Sequence, residues 1–171
     1  MNYLNKNTAI STNLEEIRIK LTDEDANQRP YLYLTGHGNI NFSDDEVIAL
    51  RSILMNNGFL HADDNYGMDA SFRREIKRVF PNKDLVPLPY THRLFHSYYS
   101  FPNGLPKVHE HDGNPPQALA LFEDERIILL YTYESDLGDG WENESVHQDP
   151  WPVREAALKM GVNIIYFALT Q

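Results

Sequence analysis

Residues 59–67, "FLHADDNYG", begin as a predicted buried strand and lead through two carboxylates into a turn. A short apolar run bounded by turn residues is typical of a strand that is covered on both faces. Asp63 and Asp64 stand where this strand ends. Carboxylates at such a place bind a metal, hold a polar ligand, act as acid or base, or cap the next helix.

Helical patterns flank this strand on both sides. Residues 43–58, "SDDEVIALRSILMNNG", begin with a capping box from Ser43 to Glu46 and end at Gly58, which we expect to be the left-handed residue after the helix. Residues 68–81, "MDASFRREIKRVFP", carry their apolar side chains on one face. A strand between two helices with short connections predicts an α/β fold with a parallel sheet.

Further strands and one more helix are predicted from the rest of the chain. The pattern alternates in 15–21, "EEIRIKL", and is apolar in 31–36, "YLYLTG", whereas the two prolines of "DLVPLP" (84–89) indicate an edge strand. Residues 117–134 predict a hairpin that is appended to a mostly parallel sheet. The last stretch, 153–171, keeps helical spacing through its glycine and predicts one helix.

The composition indicates one domain over residues 1–171 and argues against several classes of protein. Its 42% of hydrophobic residues supply a core, and 25 acidic against 15 basic residues give a net charge of −10. This charge argues against nucleic acid and anionic membranes as partners. Without cysteine there is no thiol nucleophile and no thiolate metal site. No apolar run approaches the roughly 20 residues of a membrane span, so we expect the chain as given to be soluble, without direct membrane insertion.

Polar residues follow two of the predicted strands. In an open parallel sheet, ligands bind beyond the carboxyl ends of the strands. The segments "GHGN" (36–39) and "DDNYG" (63–67) occupy that position if the two strands are neighbours. The residues that we expect to share this crevice with a small polar ligand are His37, Asn39, Asp63, Asp64, Asn65 and Tyr66.

The segment "VHEHDG", 108–113, predicts a metal site. His109 and His111 are two residues apart, so in an extended chain both imidazoles point to the same face. With Asp112, Asp63 or Asp64 as oxygen donors, such a site suits zinc, manganese or iron and can activate a water molecule. The alternatives are that these histidines hydrogen-bond to loop carbonyls beside an acidic surface, or that they contact a ligand directly.

The segment "YESDLGDGWE", 133–142, is a second acidic cluster. Glu134 and Asp136 follow a predicted strand, and Trp141 lies in a glycine-rich loop. Carboxylates beside an aromatic ring suit a sugar or polyol, and two carboxylates can divide the acid and base roles of a hydrolase. The alternative is structural, with Trp141 as a lid on the core and the acids in turns.

Nucleophilic catalysis by serine or cysteine is not expected. The sequence has neither a GxSxG motif nor cysteine. Downstream, His147 and Asp149 either orient each other, or Asp149 caps the helix that follows. The candidate catalytic residues are therefore the carboxylates Asp63, Asp64, Glu134 and Asp136.

Five stretches together, "YLYLTGHGN", "GFLHADDNYG", "SFRREIKRVFP", "HEHDG" and "YESDLGDGWE", resemble a bacterial family, the domain of unknown function numbered 4159. The resemblance covers the chain from about residue 4 to its end. It implies a flavodoxin-like, three-layer α/β/α sandwich of the class I glutamine amidotransferase-like group, close to trehalose-utilisation-type proteins. No established activity comes with the family.

The resemblance also implies a location and a difference in chemistry. Family members are often exported or attached to membrane proteins, which implies a periplasmic or exported protein with an envelope partner. Relatives carry a first strand before the stretch that matches "YLNKNT", so we expect the natural N-terminal strand to be missing here. Amidotransferases of this fold place a cysteine at a sharp turn after a strand, where this chain has Asp64 and Asn65. Glutaminase activity is therefore not expected.

Three functions agree with these features. The leading one is an amidotransferase-like domain without a thiol nucleophile that binds a small polar, carbohydrate-like ligand. The second is a metal-dependent hydrolase in the same crevice, and the third is a non-catalytic interaction module of a bacterial envelope assembly. In the leading function the crevice is lined by His37, Asp63, Asp64, His109, His111 and Asp136.

Overall fold

A five-stranded sheet organises the chain. The computed structural model describes residues 1–171. The order of the strands across the sheet is β1-β2-β5-β4-β3. In chain order they are β1 (Tyr31–Gly36), β2 (Phe59–Asp64), β3 (Val86–Pro87), β4 (Gln117–Glu123) and β5 (Arg126–Tyr133).

The sheet is mixed, so the prediction of a mostly parallel sheet with an appended hairpin is wrong. β2 pairs in parallel with both β1 and β5, whereas the β5–β4 and β4–β3 pairs are antiparallel. The hairpin is therefore inserted, with β5 as the third parallel strand. β5 can lie there because residues 127–132 are all buried. The proline-containing β3 stays at the edge, as predicted.

Six α-helices accompany the sheet. Two short 3-10 helices span Ala26–Gln28 and Arg93–His96. No helix in the structure is both long and apolar enough to cross a membrane. The α-helices are α1 (Asn2–Asn7), α2 (Asp44–Met55), α3 (Asp69–Val79), α4 (Leu137–Trp141), α5 (Glu144–His147) and α6 (Trp151–Thr170).

The helices bury their apolar sides in two separate clusters on the sheet. The first cluster joins Ile53 of α2 and Phe72 of α3 to Tyr131 of β5. The second joins Met160 of α6 to Leu130 of β5. Because successive residues of a strand face opposite sides, α2 and α3 lie on one face of β5 and α6 lies on the other. The fold is therefore α/β, with a mixed sheet and helices on both of its faces.

The end of α2 and the course of α6 bear on the predictions. Ser43 and Glu46 exchange the two hydrogen bonds of a capping box, as predicted. The left-handed residue after α2 is Asn57, with a φ of 67°, so the assignment of this role to Gly58 is wrong. α6 runs through Gly161, as predicted. A Cβ there would lie 3.1 Å from the ring of Trp141, so glycine lets this ring pack closely on the helix.

The segment 15–21 forms no strand, contrary to the prediction. Its alternation reflects side-chain packing instead, since Ile19 and Leu21 pack against the first cluster. Ile17 is 59% exposed. The sheet ends at β1, and this segment does not extend it.

The parallel register brings the carboxyl ends of three strands to one edge of the sheet. Gly36 of β1 pairs with Asp64 of β2, and Asp63 pairs with Thr132 of β5. The loops that follow these strands therefore leave the sheet side by side. The candidate site lies between the loops after β2 and β5 and the segment 107–112.

Candidate functional site

Three residues with strained backbones mark the crevice beyond β2 and β5. Tyr66, Glu134 and Asp136 have φ angles of 89°, 59° and 57°. Residues other than glycine rarely adopt this left-handed region. Such conformations cost roughly 1 to 3 kcal/mol each and cluster at binding and active sites. The loops after both strands therefore hold these side chains in place at a cost to stability, as functional sites do.

Asp63 anchors α4 to the sheet. Its Oδ2 accepts hydrogen bonds from the amide of Gly138 (2.7 Å) and the hydroxyl of Tyr33 (3.1 Å). Its Oδ1 accepts one from the hydroxyl of Thr132. Burial raises the pKa of Asp63 to about 6, although these hydrogen bonds act in the opposite direction. The carboxylate is fully buried, and its oxygens accept hydrogen bonds from the first turn of α4 and from the sheet.

Two glycines let α4 approach its neighbours. A Cβ on Gly138 would lie 2.5 Å from the hydroxyl oxygen of Tyr33, and one on Gly140 would lie 2.5 Å from the Cβ of Ala157 in α6. Real Cβ contacts are not this short, so a Cβ at Gly140 would collide with the Cβ of Ala157, and one at Gly138 would displace the Tyr33 hydroxyl that donates to Asp63. α4 is consequently fixed between the sheet and α6. This fixes Asp136, which precedes the helix, and Asp139, which lies within it.

Three aspartates surround His109. Its Nδ1 lies 2.9 Å from Asp139 Oδ2 and 3.2 Å from Asp136 Oδ2. Its Nε2 lies 3.2 Å from Asp149 Oδ1. A ring nitrogen carries at most one hydrogen, so Nδ1 can donate fully to only one of its two carboxylates. The arrangement thus gathers three carboxylates around one imidazole.

Two further histidines complete the group. His147 Nδ1 lies 3.6 Å from Asp139 Oδ2, and His111 Nε2 lies 3.1 Å from Asp136 Oδ2. His109 and His111 therefore converge on the same carboxylate oxygen from one face, as their spacing predicts. We call the six residues the His/Asp cluster: His109, His111, His147, Asp136, Asp139 and Asp149.

Several buried polar atoms of this region have no partner. Asp136 is 1% exposed and Asp149 is 9% exposed. Nevertheless, Asp136 Oδ1 and Asp149 Oδ2 accept no hydrogen bond. The side-chain oxygen of Asn65 is also unpartnered, while its nitrogen donates to Asp139 Oδ1 at 3.2 Å. A buried acceptor without a partner costs roughly 1 to 3 kcal/mol, so a bound ion or another donor beside these three oxygens would stabilise the site.

The ionisation of the cluster reflects the same excess of negative charge. Burial raises the pKa of Asp136, and the neighbouring Asp139 adds to this effect. Burial alone would lower the pKa of His109, but Asp149, Asp136 and Asp139 outweigh it and raise that pKa above its ordinary value. Added positive charge would relieve both shifts.

Three members of the cluster are placed to hold a metal ion together. His109, Asp139 and His147 each offer one ligand atom, and these atoms lie within 4.8 Å of one another. Ligand atoms on one zinc ion lie roughly 3 to 4 Å apart, because each is about 2 Å from the metal. Small side-chain rotations therefore bring the three atoms to ligand distance. The residues form a His/Asp triad that can hold a divalent ion.

A pocket of about 320 Å³ adjoins the His/Asp cluster, and we call it the acidic pocket. The ring of Tyr66 stacks on His111 at its edge, with 4.9 Å between the ring centroids. His111 contacts Asp136 and also lines the pocket, so it joins the two sites. The polar lining consists of Asp64, Tyr66, Asp69, His111, Asp112, Tyr133 and Glu134.

Most of the predicted site residues lie in these two places. Asp136, His109 and His111 belong to the His/Asp cluster, and Asn65 contacts it. Asp63 lies beneath both sites as the anchor of α4. The predicted residues that line the acidic pocket are Asp64, Tyr66, His111, Asp112 and Glu134.

Three predicted residues lie elsewhere. His37 and Asn39 are exposed after β1 and do not line the pocket. Asn39 instead accepts a hydrogen bond from Arg74 at 3.3 Å. Trp141 packs against the second cluster, and its indole nitrogen donates to the carbonyl of Ala157 at 2.8 Å. Its ring therefore covers the core, which agrees with the second of the two interpretations of Trp141, a lid on the core.

Asp139, His147 and Asp149 belong to the cluster without having been predicted as site residues. Asp149 does not cap α6, whose N-cap is Pro150, and it forms no ion pair with His147, whose partners are Asp139 and Glu142. Its partner is His109, which lies far away in sequence. A local signal existed only for Asp139, since it follows Asp136 by three residues and such spacing puts two side chains on one side of a helical turn.

Comparison with known proteins identifies the family of the chain. No curated protein matches the chain. A family described as Domain of unknown function (DUF4159) matches residues 1–169. The match includes every residue of the His/Asp cluster and of the acidic pocket. The chain therefore belongs to the DUF4159 family.

Proposed function

We propose that this domain is a metal-dependent hydrolase that holds a divalent ion at His109, Asp139 and His147 and takes its substrate in the acidic pocket. The observation that carries the proposal is the pair of buried, unpartnered oxygens, Asp136 Oδ1 and Asp149 Oδ2, beside this triad. Burying a carboxylate without a full set of partners is costly. A divalent ion provides the positive charge that these oxygens lack.

The hydrogen bond from His109 to Asp149 supports its role as a ligand. Ligand histidines commonly donate their second ring N–H to a carboxylate, which fixes the tautomer and orients the ring. Asp149 Oδ1 lies 3.2 Å from Nε2 and can accept that hydrogen. Nδ1 then carries no hydrogen and faces Asp139 with its lone pair. Mixed imidazole and carboxylate donors suit zinc, manganese or iron.

The acidic pocket supplies groups for proton transfer. A divalent ion held by His109, Asp139 and His147 would lower the pKa of a water molecule and polarise a carbonyl group. Asp64 is 4% exposed, and burial raises its pKa, which suits an acid that protonates a leaving group. Glu134 forms an ion pair with Lys107 at 3.2 Å and lines the same pocket, so it is placed to accept a proton.

A zinc titration tests the proposal. The protein is stripped with a chelator and titrated with zinc chloride by calorimetry. We expect one zinc per chain for the wild type and for His37→Ala, whose side chain is exposed outside the site. His109→Ala and His147→Ala are expected to lose this binding. Unchanged zinc binding in His109→Ala would refute the metal site, and zinc binding without hydrolysis of ester, amide or glycoside substrates would refute the reaction alone.

A second candidate function needs no metal. The three carboxylates around His109 raise its pKa, so a protonated imidazole can supply the positive charge by itself. The His/Asp cluster then braces the loops, and the acidic pocket binds a small polar, carbohydrate-like ligand. The zinc titration separates the two functions, because a protonated His109 that is held by three aspartates leaves no high-affinity metal site.

The finer fold assignment and the location are part of the same proposal. Helices on both faces of the sheet support a flavodoxin-like sandwich of the amidotransferase-like group, as does the crevice beyond the parallel strands. The chain has no cysteine, so the proposed chemistry is not that of a glutaminase. An exported location and an envelope partner rest on the family resemblance, and fractionation of cells that express the gene tests them.

A further inference from the structure

The two carboxylate oxygens of Asp139 have different partners. Oδ2 faces the two histidines of the proposed metal site, at 2.9 Å from His109 Nδ1 and 3.6 Å from His147 Nδ1. Oδ1 accepts a hydrogen bond from Nδ2 of Asn65 at 3.2 Å. The asparagine therefore engages the oxygen that does not face the histidines.

The turn that carries Asn65 is fixed to the end of the sheet. Asn65 follows Asp64, the last residue of β2. Oδ1 of Asp64 accepts hydrogen bonds from the amides of Tyr66 (3.1 Å) and Met68 (3.2 Å), so the chain closes around Asn65. The side chain of Met68 is fully buried. Asn65 therefore reaches Asp139 from a backbone that is held in place.

The other partner of this hydrogen bond is fixed as well. Asp139 lies in α4 and is largely buried. The carboxylate of Asp63 binds the amide of Gly138, and the helix packs closely against α6 at Gly140. Because both backbones are fixed, the hydrogen bond orients the carboxylate of Asp139 and does not merely follow it.

The side chain of Asn65 adds little to the stability of the fold. Its oxygen is buried and accepts no hydrogen bond. The reverse orientation of the amide would put this oxygen against the carboxylate, so the nitrogen faces Asp139. A buried acceptor without a partner destabilises a protein at least as much as a typical hydrogen bond stabilises it. The two effects largely offset each other, and we expect replacement of Asn65 to act on the site more than on folding.

A carboxylate whose second oxygen is engaged elsewhere binds a metal through one atom. Groups that hydrogen-bond to metal ligands orient them, and their replacement costs about 10- to 100-fold in metal affinity or activity. With three single-atom ligands, a zinc ion keeps a position for water or substrate. A carboxylate that binds through both oxygens fills more of the coordination sphere.

We infer that Asn65 is a positioning residue, which holds Oδ1 of Asp139 and so makes Asp139 a single-oxygen ligand of the ion. The inference rests on the proposed function, because it concerns the same metal site. It adds the turn after β2 to a site whose ligands come from the segment 107–112 and from residues after β5.

Two variants and two metals test the inference. Asn65→Ala removes the donor, and Asn65→Leu removes it while keeping a side chain of similar shape. The stripped wild type and variants are titrated with zinc chloride and with manganese chloride by calorimetry. We expect zinc affinity to fall by about 10- to 100-fold in both variants. Manganese affinity should fall less, because manganese favours additional oxygen ligands and gains the freed Oδ1.

Cobalt gives a readout that a change of stability alone does not move. Bound Co(II) absorbs visible light strongly in tetrahedral sites and weakly in sites with more ligands. The cobalt-loaded variants should therefore absorb less per bound ion than the cobalt-loaded wild type. Asn27→Ala is the matched control, because Asn27 is exposed in the 3-10 helix Ala26–Gln28. It should match the wild type in all three measurements.

Three results would overturn the inference while leaving the metal site standing. One is unchanged zinc affinity in both variants, with melting curves of the stripped proteins that show them folded. Another is an equal loss of zinc and manganese affinity with an unchanged cobalt spectrum, which would mean a structural role alone. The third is weak cobalt absorption in the wild type. A wild type that binds none of the three ions would instead refute the proposed metal site, and this inference with it.

Discussion

Replacing His61 with glutamine is expected to change how the stability of this protein depends on pH. His61 is fully buried in β2, with Nδ1 3.0 Å from the hydroxyl of Tyr31 and Nε2 3.0 Å from the hydroxyl of Thr132. Thr132 donates in turn to Asp63, which anchors α4. Burial lowers the pKa of His61 to about 3. The folded protein therefore keeps this ring neutral.

The magnitude follows from the two pKa values. An unfolded histidine has a pKa of about 6.5, so between about pH 6.5 and 3 the unfolded chain binds one more proton than the folded one. The stabilisation from neutral His61 is present above this window and is lost as the pH falls, by roughly 1.4 kcal/mol per pH unit. Between pH 7 and 4.5 the loss is about 3 kcal/mol. Glutamine does not titrate, so His61→Gln does not undergo this loss of stability.

Asp63 acts in the opposite direction. Its pKa rises from 3.8 to about 6 in the folded protein, so here the folded state holds the extra proton and stability falls as the pH rises through that window. In the wild type the two effects offset each other between about pH 4 and 6. In His61→Gln the opposing effect of His61 is removed, so the variant should gain stability relative to the wild type as the pH falls from 6 to 4.

Urea unfolding at pH 4.5, 5.5 and 7 measures this. The free energy of unfolding of His61→Gln, relative to the wild type, should improve by about 3 kcal/mol from pH 7 to pH 4.5. His37→Gln is the control, and its curve should stay parallel to the wild type because His37 is exposed. A difference between His61→Gln and the wild type that is the same at all three pH values would show that His61 is not held neutral by burial.

Three other changes have expected outcomes. Gly138→Ala should lower the free energy of unfolding by roughly 1 to 3 kcal/mol and weaken zinc binding, because the new Cβ pushes α4 from the sheet. Gly36→Ala is the control, since a Cβ there has no atom within 4 Å. Melting curves and zinc titrations should show no change of stability or of zinc binding in this control. Trp141→Phe removes the hydrogen bond to Ala157 and should cost about 1 kcal/mol in urea unfolding, and no loss would mean that the bond adds nothing. In a sample whose free zinc concentration is 100 times the Kd for zinc, chelation should lower the free energy of unfolding by about 2.7 kcal/mol and so lower the Tm. His109→Ala should show no such change.

Local patterns predict the elements of this fold better than their arrangement. β2 and α2 follow from an apolar run and a capping box, which depend on neighbouring residues only. The position of β5 depends on which strand it meets after the chain has folded back. Its hairpin turn predicts the contact with β4, but no local pattern predicts the parallel pairing with β2. This is why the hairpin is expected at the edge of the sheet and lies inside it.

The site is predictable to the same extent. The spacing of His109 and His111 predicts that both act on one face, and both reach Asp136. Asp63 and Asp64 are adjacent in a strand, so their side chains point to opposite faces, and only one of them can line the pocket. The pattern does not tell which one; the position of α4 decides that Asp63 is its anchor. Tertiary contacts likewise bring Asp149 to His109.

Diffraction at the zinc absorption edge, from crystals of stripped protein that has been reloaded with zinc, tests the proposed metal site most directly. We predict one anomalous peak among His109 Nδ1, Asp139 Oδ2 and His147 Nδ1, at about 2 Å from each atom. A map with no peak there, and with Nδ1 of His109 still within hydrogen-bond distance of Asp136 and Asp139, would contradict the metal site and favour the metal-free function.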